Sequence, residues 1–422
     1  VSAFWTTGLP LQGRVADAAS APERVITAEA TLTATARDDL RVEPLVSEGD
    51  TVAQGAPLLR LRRAHGLVIT APMPGRIAHL DLGPGQRLER IELFHEPDAG
   101  RHRHEPPGDE TDAAALRALL QTSGLWRSLR SRPFGHVPAP DERPAAIFVM
   151  ALDTRPGAPS PATALAGDEA AFARGLRALG ALASEAVFLC QEQGADLLPA
   201  SEAVQGLRIL ESKAVHPWGL AGLQIHRNFP AAPGRPVWDV AAEDVTALGE
   251  LLGTGYLRDT RLVSVTGSAM RTPVLVRCQP WADLRGLAQG HVRPGPHVIL
   301  SGSALDGRKA RWLRPGDRQA AVLTPEDHAP VDHWFLRALR GASRPLPLIP
   351  SAALDRALGG EIPAVPLLRA LSAGDAEGLI RLGALSLLAE DLALADYVTR
   401  AEPRLSRMLD SLLERIEAEG IA

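Results

Sequence analysis

Lysine is almost missing from this chain of 422 residues, whose 45 basic residues include only Lys213 and Lys309. Together with abundant alanine and proline, this bias reflects a GC-rich genome rather than a function. It has one chemical consequence: no lysine precedes Lys213, so the first half cannot carry a biotinyl or lipoyl group on a lysine. Cysteine is equally scarce. Cys190 and Cys278 each fall in a predicted strand, far apart, as reduced core residues do, so neither a disulfide nor an iron–sulfur site is expected. No run reaches the ~18 consecutive apolar residues of a membrane-spanning helix, and the opening VSAFWTTGLPLQGR lacks the apolar region of a signal peptide. A membrane role is therefore expected only as a peripheral partner. The net charge of −5 gives no bias toward nucleic acid. The phosphate-binding patterns GxGxxG and GxxxxGK[ST] are absent from the one loop where a nucleotide fold would need them, and without those glycines backbone amides cannot close on a pyrophosphate.

At roughly 150 residues per domain the length suggests about three domains, and the punctuation of the chain gives four regions and a linker. Residues 1–95 hold short strands and two glycine turns in similar settings, EGDTVAQGAPLLRL and APMPGRIAHLDLGPGQRL, joined by the hairpin LRRAHG. Residues 96–112 are polar, proline-rich and without periodicity, so they read as a linker. His95, His102 and His104 with Glu105 lie around it, and solvated histidines without partners to orient them do not make a metal site. Residues 113–255 read as a Rossmann-like α/β domain, 256–325 as three β-like runs between turns, and 326–422 as helices. In the last region Leu385, Leu388, Leu392 and Leu394 mark one apolar face, and Leu405, Met408, Leu409, Leu412, Leu413 and Ile416 another.

The α/β reading rests on local pattern. Ile147 to Leu152 is an apolar run of strand length, and Pro138, Pro140 and Pro144 before it favour extended backbone. Phe172, Leu176, Leu179 and Leu182 follow at helical spacing, then a second apolar run from Ala186 to Cys190. Strand, helix and strand form a βαβ unit with a right-handed crossover. The loop after its first strand, Asp153 to Pro159, contains a single glycine. Ser301, Gly302 and Ser303 read as a strand-to-turn segment, because no GxSxG elbow and no placed base accompany them.

Thr122, Gly124, Leu125, Trp126, Arg130, Arg132, Pro133, Phe134, Val137, Pro138, Ala139, Pro140, Ile147, Phe148, Val149, Asp153 and Thr154 together resemble the TGLW…RPF…VPAP…IFV…DT pattern of the A subunit of the Na+-translocating NADH:quinone reductase. The segment from Val215 to His226 resembles that family's HPAGLVGTHIH, and Ser301 to Gly307 its SGSVLSG. The C-terminal GALSLLAEDLALADYV resembles the family's ending, with Ala395 and Thr399 where the family keeps cysteines. More distantly the chain is similar to the C subunit of the Rnf complex and to the flavin- and NADH-binding subunit of respiratory complex I.

The pattern E-G-D-x-V-x-x-G, followed by the hairpin and A-P-x-x-G-x-I, resembles the barrel-sandwich fold of biotinyl and lipoyl carriers, and the family resemblance implies after it an α/β domain with a mainly parallel sheet, a β-grasp (soluble-ligand-binding) domain and a helical C-terminus. It implies a cofactor-free, non-catalytic subunit on the cytoplasmic face of the inner membrane, docked on the reductase's B subunit in the membrane, with ubiquinone as the one candidate ligand. The stretch from Tyr to His that the family carries after its SGSVLSG turn is replaced here by LRPGDRQAAVL, and Trp218 and Gln224 replace a small residue and a histidine. Phe134, His216, Trp218 and His226 are the candidate quinone-facing residues. Two readings stand side by side for them: they line a pocket, or Trp218 fills an old cofactor cavity and the histidines are structural. A stand-alone ligand-binding or scaffold protein is the alternative to the whole assignment.

Overall fold

The computed structural model describes residues 8, 9, 11, 22–34, 40–64, 66–198, 202, 204–325, 351–400 and 403–420. In the N-terminal region the strands are β1 (Glu23–Val25), β2 (Glu29–Thr33), β3 (Val42–Pro44), β4 (Thr51–Val52), β5 (Pro57–Leu61), β6 (Val68–Thr70), β7 (Gly75–Gly83) and β8 (Arg87–His95). A four-stranded sheet in the order β2-β8-β7-β4 and a three-stranded sheet β3-β5-β6 enclose one core. Leu32, Ile77, Ile91 and Leu93 come from the first sheet and Val42, Leu58 and Ile69 from the second. Strand β1 leaves this unit. It pairs in parallel with a strand some 250 positions onward, Glu23 opposite Val276, so the first and third regions share a sheet.

The stretch from 96 to 112 is not a free linker. Arg101 bridges to Gln54 and Arg103 to Tyr256, and the His104 amide donates to the Gly255 carbonyl at 2.8 Å. The Arg101 guanidinium donates to the Leu257 carbonyl at 2.6 Å. His104, expected in solvent, is buried, and burial and the neighbouring His102 hold its pKa below the ordinary histidine value. Backbone pairing to two units at once makes this segment a strap, which the absence of hydrophobic periodicity cannot reveal.

The α/β unit contains α1 (Ala113–Thr122), β9 (Arg130–Arg132), β10 (Ala146–Ala151), α2 (Pro161–Leu165), α3 (Glu169–Leu182), β11 (Ala186–Glu192), β12 (Leu207–Ser212), α4 (Ala221–Asn228), β13 (Val237–Ala241) and α5 (Ala242–Thr254). Asp112 caps α1, accepting from the Ala114 and Ala115 amides. The sheet order is β12-β11-β10-β13-β9, parallel except for β9, which runs antiparallel to β13. Both faces are covered, so the central strands are apolar without alternation. Ile147, Val149 and Leu189 face α3 and α5, while Phe148 and Phe188, stacked at 4.5 Å, face α4. Helices α3 and α5 meet at glycines: a Cβ on Gly249 would lie 1.7 Å from the Ala171 carbonyl oxygen, and one on Gly175 2.0 Å from that of Val245.

The third unit holds β14 (Arg261–Thr266), β15 (Val274–Cys278), α6 (Leu284–Ala288), β16 (Val298–Ser301), β17 (Arg308–Lys309) and β18 (Gln319–Leu323), in a six-stranded sheet of order β1-β15-β14-β18-β16-β17. Strand β18 occupies the LRPGDRQAAVL stretch and runs parallel to β14. The described part of the last region is helical: α7 (Ala352–Ala357), α8 (Ala364–Ala373), α9 (Ala376–Arg381), α10 (Ala393–Thr399) and α11 (Leu405–Glu419). Leu405, Leu409, Leu412, Leu413 and Ile416 of α11 are buried together with Leu385, Leu388, Leu392 and Leu394, on the two faces read from spacing.

Candidate functional site

A cleft of about 1000 Å³ opens where the parallel strands end and the other units meet. Ligands of open α/β sheets bind outside the carboxyl ends of the strands, where the strand order switches direction. Here β10 lies between β11 and β13, and the loop after β10 supplies Asp153 and Arg155 to the cleft while the end of β13 and the start of α5 supply Ala241 to Asp244. Arg130 comes from β9, Asp306 from the turn after β16, and Glu390 from the helical unit.

These side chains are paired with one another. Arg130 donates to both carboxylate oxygens of Asp239, the closest at 2.7 Å, and to Glu390 at 2.8 Å. Arg132 is fully buried and donates to Asp239 at 3.1 Å, to Asp391 at 3.0 Å and to the Ser386 carbonyl at 2.6 Å. Arg155 pairs with Asp153 at 2.5 Å and reaches Asp306 at 3.5 Å. Burial pushes the Glu390 carboxyl up, but Arg130 and Arg132 outweigh it and bring it down to about 2. Burial likewise works against ionised Asp153, and Arg155 overcomes it, leaving the carboxyl below its ordinary value. Burial raises Asp317, and its hydrogen bond from Ser301 and the nearby arginines do not fully oppose it.

The start of α5, which lines the cleft, is occupied by the chain's own carboxylates. Glu243 and Asp244 occupy the first turn of α5, where the helix dipole favours negative charge. Arg318 pairs with both, at 3.0 and 2.7 Å, and the Leu262 amide donates to Glu243 at 2.8 Å. A phosphate arriving there would displace these pairs and meet two carboxylates. The glycine-poor loop and the acidic helix start thus act in the same direction.

The four sequence candidates do not converge on this cleft. Trp218 is 1% exposed, with the Arg227 guanidinium 5.1 Å from its ring centroid and Gly359 of the helical unit against it. His216 is 2% exposed. Gly219 donates its amide to Thr154 Oγ1 at 3.1 Å, and the same hydroxyl lies 3.1 Å from His216 Nδ1. Burial holds His216 down to about 4, so the ring is neutral. His226 Nδ1 lies 3.0 Å from the Gly383 carbonyl, and Phe134 packs half-buried against the helical core. His216 and Trp218 stand beside the loop after β10, but it is their neighbours Gly219 and Leu220, and Gly135 and Val137 beside Phe134, that face the cleft.

The residues that build the site are those of the ion-pair network, which sequence reasoning does not single out as a site. Arg130 and Arg132 stand among the family-matching positions, yet their partners lie 107 to 260 residues away. One local signal is present: Asp239 is the single charged residue in the otherwise apolar strand VWDVA. Among the described residues no group of three or more histidines, cysteines and carboxylates is arranged to hold a metal, and no helix is long and apolar enough to cross a membrane.

Comparison with known proteins agrees with this architecture. Residues 111–257 match the family model described as "NqrA second alpha/beta domain", and residues 262–311 that described as "NQRA C-terminal domain". The A subunit of the Na(+)-translocating NADH-quinone reductase of Shewanella amazonensis is 33% identical over 411 residues, 89% of this chain and 90% of that protein. Its counterpart from Pseudomonas aeruginosa is 33% identical over 405 residues, with the same shares covered. Among solved structures, an NAD+-reducing [NiFe]-hydrogenase in the H2-reduced state aligns with 72% of this chain and 63% of its own at 15% identity and a TM-score of 0.40, too loosely to carry an argument. With a third of the aligned positions identical over nine-tenths of both chains, the chain belongs to the family formed by the A subunits of Na(+)-translocating NADH-quinone reductases.

Proposed function

We propose that this chain is the A subunit of a Na+-translocating NADH:quinone reductase, a peripheral component that supports electron transfer to quinone and sodium transport by the complex without redox chemistry of its own. The carrying observation is the 33% identity over 89% of the chain to proteins bearing that name. The stand-alone alternative has no observation in its favour. In this reading residues 1–95 are a barrel-sandwich, supported by two small sheets around one core. Residues 113–255 are the Rossmann-like domain, 256–325 the β-grasp domain and 326–422 the helical domain, with the strap at 96–112 between the first two. The partner is the reductase's B subunit in the membrane, met at the cytoplasmic face.

For the ligand we propose ubiquinone, contacting the apolar wall that Val137, Leu220 and Leu305 give the cleft, with Phe134, His216, Trp218 and His226 as the layer that supports this wall. An apolar surface beside a few convergent polar groups is the form such a site takes. Closed anion positions leave a neutral ring ligand as the better fit. The test is purification of the tagged chain from native membranes in mild detergent. The other subunits of the reductase should accompany it in fixed ratio, and the chain recovered alone from the soluble fraction would overturn the assignment. Photolabelling of that complex with an azidoquinone should mark the segments around Val137 and Leu220; labelling confined to other subunits would remove quinone from this one.

A further inference from the structure

The start of α4 lacks a capping side chain of its own, since Leu220 occupies the cap position. A carboxylate from the helical unit takes that place. The Gly222 amide, in the first turn of α4, donates to Asp391 Oδ1 at 3.2 Å, although the two residues are 169 positions apart. Asp391 Oδ2 accepts from Arg132 Nη1 at 3.0 Å and from the Leu388 amide at 2.8 Å. The approach is possible only because position 222 is glycine: a Cβ there would lie 2.1 Å from Asp391 Oδ2. Arg132, with no exposed surface, has a second terminal nitrogen, Nη2, that is buried and makes no hydrogen bond; a Glu390 carboxylate oxygen lies 3.8 Å from it.

A helix start, a bare glycine and a buried guanidinium with unused donors form a socket for a planar anion with two oxygens. The α/β unit supplies all three. The occupant belongs to another unit. We propose that this socket is a carboxylate-binding site filled in cis by Asp391, and that the contact is the latch holding the helical unit on the α/β sheet. Small carboxylates such as formate have the same two oxygens and would enter the socket once the Asp391 side chain is removed. The latch stands independently of the assignment to a reductase complex, since it uses only contacts within the chain.

The experiment compares the wild type, Asp391→Ala and Gly222→Ala by thermal melting in matched sodium chloride and sodium formate. Both variants should melt below the wild type. Formate should raise the melting temperature of Asp391→Ala, because a ligand that binds only the folded state stabilises it by mass action. It should leave the wild type, whose socket is filled, and Gly222→Ala, whose socket is blocked by the new methyl, where they were. Equal shifts in all three proteins, or none in Asp391→Ala, would overturn the proposal. Should Asp391→Ala fail to fold, hydrogen exchange on the wild type decides: the Gly222 and Leu388 amides should open in one step with the core amides of α11, and separate opening of Gly222 refutes the latch.

Discussion

Replacing Trp218 by alanine separates a packed interior residue from a ligand-facing one. The indole is 1% exposed, with Gly359 and the Arg227 guanidinium packed against it. Truncating a buried tryptophan costs about 3–5 kcal/mol, as lost transfer energy plus the cavity left behind. The arginine over the ring adds about 0.5–1 kcal/mol at a half-exposed site. A loss near 4 kcal/mol follows, roughly a thousandfold in the folded-to-unfolded ratio. Urea unfolding followed by far-ultraviolet circular dichroism reads this directly, and tryptophan is not needed as the probe. A residue facing an open site would cost under about 1 kcal/mol, as surface substitutions do. A change that small would refute the packing argument, above all if accompanied by saturable quinone binding in the wild type that weakens in the variant. If the indole fills a former cavity, soluble quinone should bind the variant better than the wild type, because only the variant has room beside Gly359.

Other outcomes follow from the same contacts. His216 is held down to about 4 by burial, so the unfolded chain binds a proton that the folded one refuses. Stability should fall as pH drops from about 6.5 toward 4, by about 3 kcal/mol once below that range, and His216→Gln should flatten the pH profile in this window; parallel profiles would refute it. Gly249→Ala gains about 1 kcal/mol of helix propensity but drives a methyl into the Ala171 carbonyl, so a net loss of about 2 kcal/mol is expected in denaturant unfolding, and a stabilised variant would contradict the α3–α5 contact. Burial pushes the Cys278 thiol up to about 12 and raises Cys190 as well, so a disulfide-forming thiol reagent should leave the native protein unmodified and titrate both cysteines in denaturant. Rapid reaction of either thiol in the native state would show that its strand is open.

Much of the architecture is legible along the chain because its causes are local. Prolines before Ile147 and the unbroken apolar runs of β10 and β11 specify buried parallel strands, and the leucine spacing of α11 specifies its inner face, whatever lies around them. The missing phosphate-loop glycines are also a local fact, and the expectation that no nucleotide sits at that loop rests on them. Family membership is readable for the same reason, since motifs such as those around Trp126 and His216 are contiguous.

Other features cannot be read this way because they depend on distances in space rather than along the chain. Nothing near Arg132 announces that its charge is met by Asp239 and Asp391. A burying environment is assembled from three segments, and only in that environment are these charges forced into pairs, since an unpaired buried ion is too costly to keep. Polar neighbours in sequence place His104 in water, yet its surroundings are set by Gly55 and Gly255 from other units. Trp218 shows the same division. Residue order alone establishes that a large apolar ring follows a histidine-proline pair and precedes a glycine. The burial of that ring depends in part on where the helical unit packs, because Gly359, more than a hundred positions away, lies beside the indole.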